Sequence, residues 1–246
     1  MYKALTVALG LSLAATGTLA EAPGEKLPGT ASANYQWNAP GGEASQALRL
    51  AGDVKAGQED YTAYCAACHR PNGGGDPDGS IPKLAGQHPS VVVKQLADIR
   101  SGLRDNPTML PFAVQLRDAQ ALANVAAYIA TLCIPRESGI YQAPDAANLV
   151  AYGKKLYDKD CSQCHQPNGY GVNEKLYPVI AGQHYPYLLR QMIEIRDGKR
   201  RNTHPDMVRV ISKYQDAELV AIAAYQSTLA TQAQRLTLQP RFCNPS

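Results

Sequence analysis

The stretch Cys65-Ala66-Ala67-Cys68-His69 decides the architecture of this chain, and it has a second copy, Cys161-Ser162-Gln163-Cys164-His165. In a Cys-x-x-Cys-His pattern, two thiols on one helical turn can form thioether bonds to the two vinyl groups of one haem. The imidazole that follows lies under the ring, where its nitrogen can bind the iron. One copy is compatible with chance or with half of a zinc site. Two copies, 96 residues apart in matching surroundings, predict two covalently attached haem c groups.

The surroundings of the two motifs repeat at the same offset of 96 residues. Segment 82–88, PKLAGQH, matches segment 178–184, PVIAGQH, and segment 94–100, KQLADIR, matches segment 190–196, RQMIEIR. Ahead of the motifs, Gly57 and Tyr61 correspond to Gly153 and Tyr157. Each unit has the length of a small domain, so the repeat predicts two domains of common descent.

Apolar residues recur at helical spacing through both units. This periodicity predicts helices over 54–64, 90–102 and 118–132 in the first unit, and over 150–160, 185–198 and 216–229 in the second. Asp118 and Asp216 are suitable N-cap residues for the last helix of each unit. Because no stretch alternates as a β-strand would, the predicted fold class is all-α, with two tandem helical domains.

The composition divides the chain into six segments. These are a signal peptide 1–20, an extended or loosely docked arm 21–52, the first domain 53–134, a linker 135–148, the second domain 149–230 and a tail 231–246. Lys3 followed by a short apolar run predicts an export signal cleaved after about Ala20, with an uncleaved membrane anchor as the alternative. No later stretch has the apolar length of a membrane span, so we expect a periplasmic protein with at most peripheral membrane contact.

Charge is distributed unevenly along the chain. The net formal charge is +3 overall, but residues 21–134 have a net charge of −2 and residues 135–246 a net charge of +4. This excess is too small to indicate nucleic-acid binding, and no basic stripe with interleaved aromatics occurs. The polarity favours the hypothesis that the basic second unit faces an acidic partner.

Two methionines are candidates for the second axial ligand of each iron. Met109 lies 40 residues after His69, and Met207 lies 42 residues after His165. Both fall in proline-containing segments predicted to be loops between the second and last helices of their units. Thioether sulfur is a common sixth ligand in electron-carrying cytochromes. The matched positions therefore predict His/Met ligation of both irons.

Other interpretations of these residues remain open. Methionine is a common gap-filling core residue, which is the alternative for both candidates. Met192 is a competing ligand, although it occupies the core-facing place of Leu96 in the repeat. His204 could also compete for the second iron. His88 and His184 recur in both units, and we expect a structural or haem-edge role for them rather than ligation.

These residues resemble the class I cytochromes c, and the doubled arrangement is similar to diheme cytochrome c4. The resemblance covers about residues 53–230 and depends on the paired Gly-Gln-His blocks and the later methionines. It implies two cytochrome c-like domains, in which the carbonyls of Pro82 and Pro178 accept a hydrogen bond from the proximal imidazole. It also implies a close crossing of the first and last helices at Gly57 with Tyr128 and at the equivalent pair of the second unit.

The resemblance further implies an electron-transfer protein rather than an enzyme. Its expected donor is a membrane cytochrome complex or a dehydrogenase, and its expected acceptor is a terminal oxidase of a respiratory chain. Diheme enzymes of the thiosulfate dehydrogenase or peroxidase type are an alternative. A permanent electron-transfer subunit of a larger redox complex is another, in which the arm and tail would serve as docking segments.

Two cysteines depart from the family pattern. Cys133 follows the last helix of the first unit, and Cys243 lies in the tail. In an oxidising compartment, an even number of leftover cysteines suggests a disulfide. Two free buried thiols, or bonds to another chain, are the alternatives.

Overall fold

The computed structural model describes residues 40–235 and Cys243. The predicted signal peptide, residues 21–39 of the predicted arm and nearly all of the tail beyond residue 235 lie outside the described residues. Within the described part, the chain forms eleven α-helices and one 3₁₀ turn, and its only β-type pairing is an isolated bridge between Val172 and Tyr177. The prediction of an all-α protein is confirmed. No helix within residues 40–235 is long and apolar enough to cross a membrane.

The helices fall into two sets with the same order. The first unit contains α1 (Glu43–Ala47), α2 (Val54–Tyr64), α3 (Ala66–His69), α4 (Pro89–Arg100), α5 (Leu110–Ala113) and α6 (Ala119–Thr131). The second unit contains α7 (Ala146–Asp160), α8 (Ser162–His165), the 3₁₀ turn Asn173–Lys175, α9 (Tyr185–Arg196), α10 (Pro205–Ile211) and α11 (Asp216–Arg235).

Some helix ends differ from the sequence-based predictions. Helix α7 begins at Ala146, inside the predicted linker, because three of the residues 146–149 are alanine or leucine, which are good helix formers. Helix α11 continues to Arg235, inside the predicted tail, through residues that are mostly alanine, glutamine and arginine. Asp118 caps α6 as predicted. Asp216, however, is the first residue of α11 rather than its N-cap, and it forms an ion pair with Arg196.

The first and last helices of each unit cross at a glycine. A Cβ atom built on Gly57 of α2 would lie 2.0 Å from the carbonyl oxygen of Asn124 in α6. The equivalent Cβ on Gly153 of α7 would lie 1.9 Å from the carbonyl oxygen of Ala221 in α11. Only glycine permits this approach, because real Cβ atoms do not pack so close to a backbone.

Paired tyrosine rings lie beside each crossing. The ring centroids of Tyr61 and Tyr128 are 5.3 Å apart, and those of Tyr157 and Tyr225 are 5.2 Å apart. Each pair joins the helix that leads into a Cys-x-x-Cys-His motif to the last helix of the same unit. The crossing therefore fixes the position of the motif in each domain.

The described part of the arm is more regular than the sequence suggests. Residues 43–47 form helix α1, which packs against α4 and α6 and buries Ala47. Its Glu43 carboxylate lies 3.0 Å from the guanidinium of Arg100 at the end of α4. This end of the arm is thus docked on the first unit.

The linker and Cys243 of the tail both contact the first unit. The ammonium group of Lys83 donates to the carbonyls of Pro135 and Glu137 in the linker, at 2.8 Å each. Cys133 and Cys243 form a disulfide that joins positions 110 residues apart in the chain. The backbone N–H of Cys243 also donates to the carbonyl of Ile134 at 3.1 Å. Cys243 is therefore joined to the first unit both covalently and by a hydrogen bond.

Candidate haem sites

Each Cys-x-x-Cys-His motif folds as a single helical turn after a longer helix. Helix α2 ends at Tyr64, Cys65 is its C-cap and α3 continues to His69; α7 and α8 have the same arrangement. The first cysteine of each motif is buried or half-buried, and all four motif cysteines are free of disulfides. Among the described residues, no group of three His, Cys, Asp or Glu side chains could hold a metal ion.

The imidazoles of the two motifs present the same ring nitrogen for metal binding. Nδ1 of His69 donates to the carbonyl oxygen of Pro82 at 2.9 Å, and Nδ1 of His165 donates to that of Pro178 at 3.4 Å. These bonds select the tautomer whose Nε2 has a free lone pair. Burial lowers the pKa of both imidazoles, and the proline carbonyl partly opposes this shift. Two thiols and one neutral imidazole in this order fit a covalently attached haem c.

Each motif is followed by a strained residue whose carbonyl accepts a hydrogen bond from a tyrosine. Arg70 and Gln166, which directly follow the motif histidines, both have φ of 66°. The hydroxyl of Tyr61 donates to the Arg70 carbonyl at 2.7 Å, and that of Tyr157 donates to the Gln166 carbonyl at 2.6 Å. Left-handed backbone is costly for a side chain with a Cβ, so these bonds stabilise the exit from the motif. The sequence indicated an aromatic position here but not the function of the hydroxyl.

A glycine turn then carries the chain to each proline. Gly73 and Gly169 have φ of 67° and 74°, in the region that favours glycine. The carbonyl of Gly73 accepts from the N–H groups of residues 84 and 85, and that of Gly169 accepts from residues 180 and 181. Each turn thereby places the segment after the proline alongside the segment after the motif, which brings the proline carbonyl within reach of the imidazole.

The two candidate distal ligands lie in different settings: Met109 is in the turn directly before α5, in agreement with the loop prediction, whereas Met207 is inside the short helix α10, which corrects the prediction. Met109 is the N-cap residue of α5, and its N–H donates to the Asn106 side chain at 3.1 Å. Met207 lies in the first turn of α10, after Pro205. Both methionines are half-buried. Pro205 at the start of α10 supplies a backbone that is already suited to helical conformation, which explains why Met207 lies in a helix.

The competing candidates have other functions in the structure. Met192 is 4% exposed and belongs to the apolar core of the second unit. His204 is the N-cap of α10, and its Nδ1 accepts from the N–H of Asp206 at 3.1 Å. These contacts agree with the packing interpretation of Met192.

His88 and His184 lie between the two units and form reciprocal contacts. Nε2 of His88 donates to the carbonyl of Tyr170 at 2.7 Å, and Nε2 of His184 donates to the carbonyl of Gly74 at 2.9 Å. Gly74 and Tyr170 are themselves equivalent positions in the repeat. Each histidine thus binds the loop that follows the haem motif of the opposite unit.

The glutamine before each of these histidines makes a second reciprocal contact. Gln87 accepts from the N–H of Val179 and donates to its carbonyl, both at 2.9 Å. Gln183 makes the same pair of bonds to Lys83, at 3.0 and 2.9 Å. The repeated Gly-Gln-His block therefore builds a pseudo-two-fold interface. Its recurrence was visible in the sequence, but its function as an interface was not.

Comparison with known proteins agrees with this geometry. The family model described as cytochrome c matches residues 54–133 and again residues 150–230. Cytochrome c4 of Pseudomonas aeruginosa is 34% identical over 185 residues, which cover 71% of this chain and 88% of that protein. A thiosulfate dehydrogenase electron acceptor of Stutzerimonas stutzeri is 33% identical and covers 75% of this chain and 91% of its own length.

A solved structure extends the similarity to the whole two-domain arrangement. Reduced recombinant cytochrome c4 from Pseudomonas stutzeri superposes with a TM-score of 0.62 at 30% identity, over 72% of this chain and 98% of that chain. Proteins of this kind bind two haem c groups covalently, and the paired cysteines of both motifs fit that attachment. The chain belongs to the cytochrome c family, as a diheme electron-transfer cytochrome of the cytochrome c4 type.

Proposed function

We propose that this protein is an electron carrier in which His69 and Met109 ligate one iron and His165 and Met207 ligate the other. The observation on which this proposal rests is the pair of Nδ1 bonds to proline carbonyls, which leave Nε2 of each imidazole for iron. When bound, each haem supplies one-electron chemistry at a potential that a thioether ligand raises. The protein holds the ligands in fixed positions and shields the imidazoles from water, His69 fully and His165 in part.

The disulfide favours a carrier over a haem enzyme. An enzyme of the thiosulfate dehydrogenase or peroxidase type needs an open coordination position or an unusual ligand on one iron. Cys133 is the candidate for such a ligand. In the structure, its sulfur is bonded to Cys243. That thiol is therefore not free to bind iron, and Met109 remains the distal candidate for the first haem.

We propose that the protein is exported to the periplasm after cleavage of residues 1–20, with domains at 53–134 and 149–230. Two features support export. Haem c is attached outside the cytoplasm in bacteria, and disulfides such as Cys133–Cys243 persist in oxidising compartments. Mass analysis of the protein isolated from the periplasmic fraction would test both the cleavage after about Ala20 and the two haem additions.

The partners proposed are redox proteins. The general candidate is a membrane cytochrome complex or dehydrogenase as donor, with a terminal oxidase as acceptor. The relative named as a thiosulfate dehydrogenase electron acceptor favours a thiosulfate dehydrogenase as the specific donor. Stopped-flow reduction of the oxidised holoprotein by thiosulfate and that enzyme, compared with reduction by a quinol-oxidising cytochrome complex, separates the two donors. The physiological donor should reduce the protein at least tenfold faster than the other donor does.

The ligation is tested by the weak methionine-to-iron absorption band of the oxidised protein in the near infrared. Two closed His/Met sites should give two equivalents of this band. Met109→Ala and Met207→Ala should each remove about half of it. Met192→Leu is the matched control and should leave the band unchanged, because Met192 packs in the core. A wild-type band with the intensity of one His/Met site, or no band, would contradict the proposal and favour an enzyme with an open coordination position on one iron.

A further inference from the structure

One tyrosine distinguishes the second haem motif from the first. Tyr177 directly precedes Pro178, whose carbonyl binds the His165 imidazole. The hydroxyl of Tyr177 forms a hydrogen bond with the thiol of Cys164, the second cysteine of the same motif. The corresponding residue of the first unit, at the offset of 96 residues, is Ile81, whose side chain has no polar atom. The two candidate haem sites therefore differ at one of the sulfurs that would attach the cofactor.

The backbone holds Tyr177 and Ile81 in the same place, so the difference lies in their side chains. The carbonyl of Tyr177 accepts from the N–H of Val172 at 3.0 Å, and that of Ile81 accepts from the N–H of Asp76 at 2.8 Å. The N–H of Tyr177 also donates to the Val172 carbonyl at 3.0 Å. A Cβ atom built on Gly171 would lie 2.2 Å from the Tyr177 carbonyl oxygen, so only glycine permits this close pairing. The base of the Tyr177 side chain is thereby fixed.

A neighbouring imidazole packs against the ring of Tyr177. The ring centroids of Tyr177 and His204 are 6.1 Å apart, with an edge-to-face angle of 77°. His204 is the N-cap of α10 and lies three residues before Met207. In the first unit, the residue three positions before Met109 is Asn106. The first unit therefore lacks both of the rings that meet here in the second unit.

Attachment of haem would fix the direction of the hydrogen bond at Cys164. The sulfur in the structure belongs to a thiol, which can donate or accept, and it stands in for the thioether of the holoprotein, which can only accept. Burial, and after it the Cys164 thiol, raises the pKa of Tyr177, so the hydroxyl keeps its proton at neutral pH. Cys164 is half-buried, whereas Cys68 is exposed, so water competes less for the sulfur in the second unit. Tyr177 is therefore the donor.

We propose that the Tyr177 hydroxyl donates a hydrogen bond to the thioether sulfur of Cys164 and so raises the reduction potential of the second haem. This inference rests on the proposed function. Hydrogen bonding around a haem is one of the means by which a protein sets its potential. Reduction adds one negative charge to the haem, so the positive end of a nearby O–H dipole favours the reduced state. The first haem, with Ile81 at the corresponding place, lacks this contribution.

The variant Tyr177→Phe tests the inference, because it removes the hydroxyl and keeps the ring. In a spectroelectrochemical titration of the holoprotein, the equilibrium constant for reduction of the second haem should fall about threefold, or about 28 mV for one electron. The potential of the first haem should stay unchanged. Tyr152→Phe is the matched control, since its hydroxyl bonds to Glu218 in the same domain rather than to a motif cysteine. A contribution from packing alone predicts no change in either variant.

The two potentials are assigned to the two haems by paramagnetic NMR. The shifted methyl signal that disappears in Met207→Ala belongs to the second haem, and its titration gives the potential of that haem. The near-infrared band is recorded for each variant, so that loss of methionine ligation is distinguished from loss of the hydrogen bond. A second-haem potential that falls no further in Tyr177→Phe than in Tyr152→Phe, with both bands intact, overturns the inference and leaves the proposed function standing.

Resonance Raman spectroscopy of the carbon–sulfur stretching vibrations detects the hydrogen bond in the wild type itself. Exchange from H₂O into D₂O should shift one of these vibrations in the wild type and in Tyr152→Phe, but none in Tyr177→Phe. This measurement decides the question even where Tyr177→Phe loses methionine ligation. Wild-type vibrations that are identical in the two solvents overturn the inference, because the sulfur then accepts no exchangeable proton.

Discussion

His184 of the second domain donates a hydrogen bond from Nε2 to the carbonyl oxygen of Gly74, 2.9 Å away in the first domain. Its other ring nitrogen, Nδ1, accepts from the N–H of Gly139 in the linker at 3.0 Å. The imidazole therefore uses both nitrogens as a neutral ring. One side chain connects the second domain, the linker and the loop that follows the first haem motif.

This arrangement predicts a pH dependence of stability. Burial lowers the pKa of His184, and the Gly74 carbonyl partly opposes the shift; the facing charges are those of Lys83, Asp76 and Arg70. The unfolded histidine, with a pKa near 6.5, takes up a proton before the folded one does. The contribution of His184 to the free energy of unfolding should thus be at its maximum above about pH 7. It should fall as the pH drops below 6.5, by at most about 1.4 kcal/mol per pH unit.

Urea unfolding at a series of pH values between 5 and 8 measures this dependence. His184→Gln should lose stability at pH 7.5 and show a shallower decline below pH 6.5. His204→Gln, which changes a helix cap instead, should keep the wild-type decline. An undiminished decline in His184→Gln would show that other groups are responsible.

The glutamine contacts should make the two domains unfold together. Gln183→Leu leaves both the N–H and the carbonyl of Lys83 without their partner in a buried place. Each unsatisfied group costs about 1–3 kcal/mol, so the interface should weaken by several kcal/mol. Calorimetry should then resolve two unfolding transitions in the variant, whereas the two domains of the wild type should unfold at closer temperatures. Exposed Gln58→Leu is the control, and a single unchanged transition in Gln183→Leu would refute the prediction.

The helix crossing should tolerate no side chain at Gly153. The Cβ of Gly153→Ala would lie 1.9 Å from the Ala221 carbonyl oxygen, so α7 and α11 must separate. We expect the free energy of unfolding to fall by about 1–3 kcal/mol because of the clash. In an unobstructed helix interior, alanine would instead raise it by about 1 kcal/mol. Thermal unfolding followed by haem absorbance measures the change. Exposed Ala63→Gly should lose only the helix-propensity difference, and a Gly153→Ala protein as stable as wild type would contradict the crossing.

The disulfide should contribute substantially to stability. It joins cysteines 110 residues apart, and the chain-entropy model assigns about 4–5 kcal/mol to a loop of this length. Replacing both Cys133 and Cys243 by serine should lower the unfolding midpoint, and the wild type under reducing conditions should match the variant. Non-reducing peptide mass analysis should recover the linked pair directly. Equal midpoints for variant and oxidised wild type would exclude this contribution.

Local sequence determined much of this protein. The Cys-x-x-Cys-His motifs, the 96-residue repeat and the helical periodicity follow from residues close together in the chain, and the structure has the corresponding helices. The predictions were wrong at the short helix that contains Met207 and at the start of α7, and there too the determinants, Pro205 and the residues after Pro144, are local.

Only the tertiary structure decided what the repeated Gly-Gln-His blocks do. The repeat marked His88 and His184 as significant, yet a haem edge and a domain interface would produce the same recurrence. Their partners, Tyr170 and Gly74, lie 82 and 110 residues away in the chain. Which surfaces of two similar domains face each other depends on their packing as whole bodies, and no periodicity within either domain encodes that orientation.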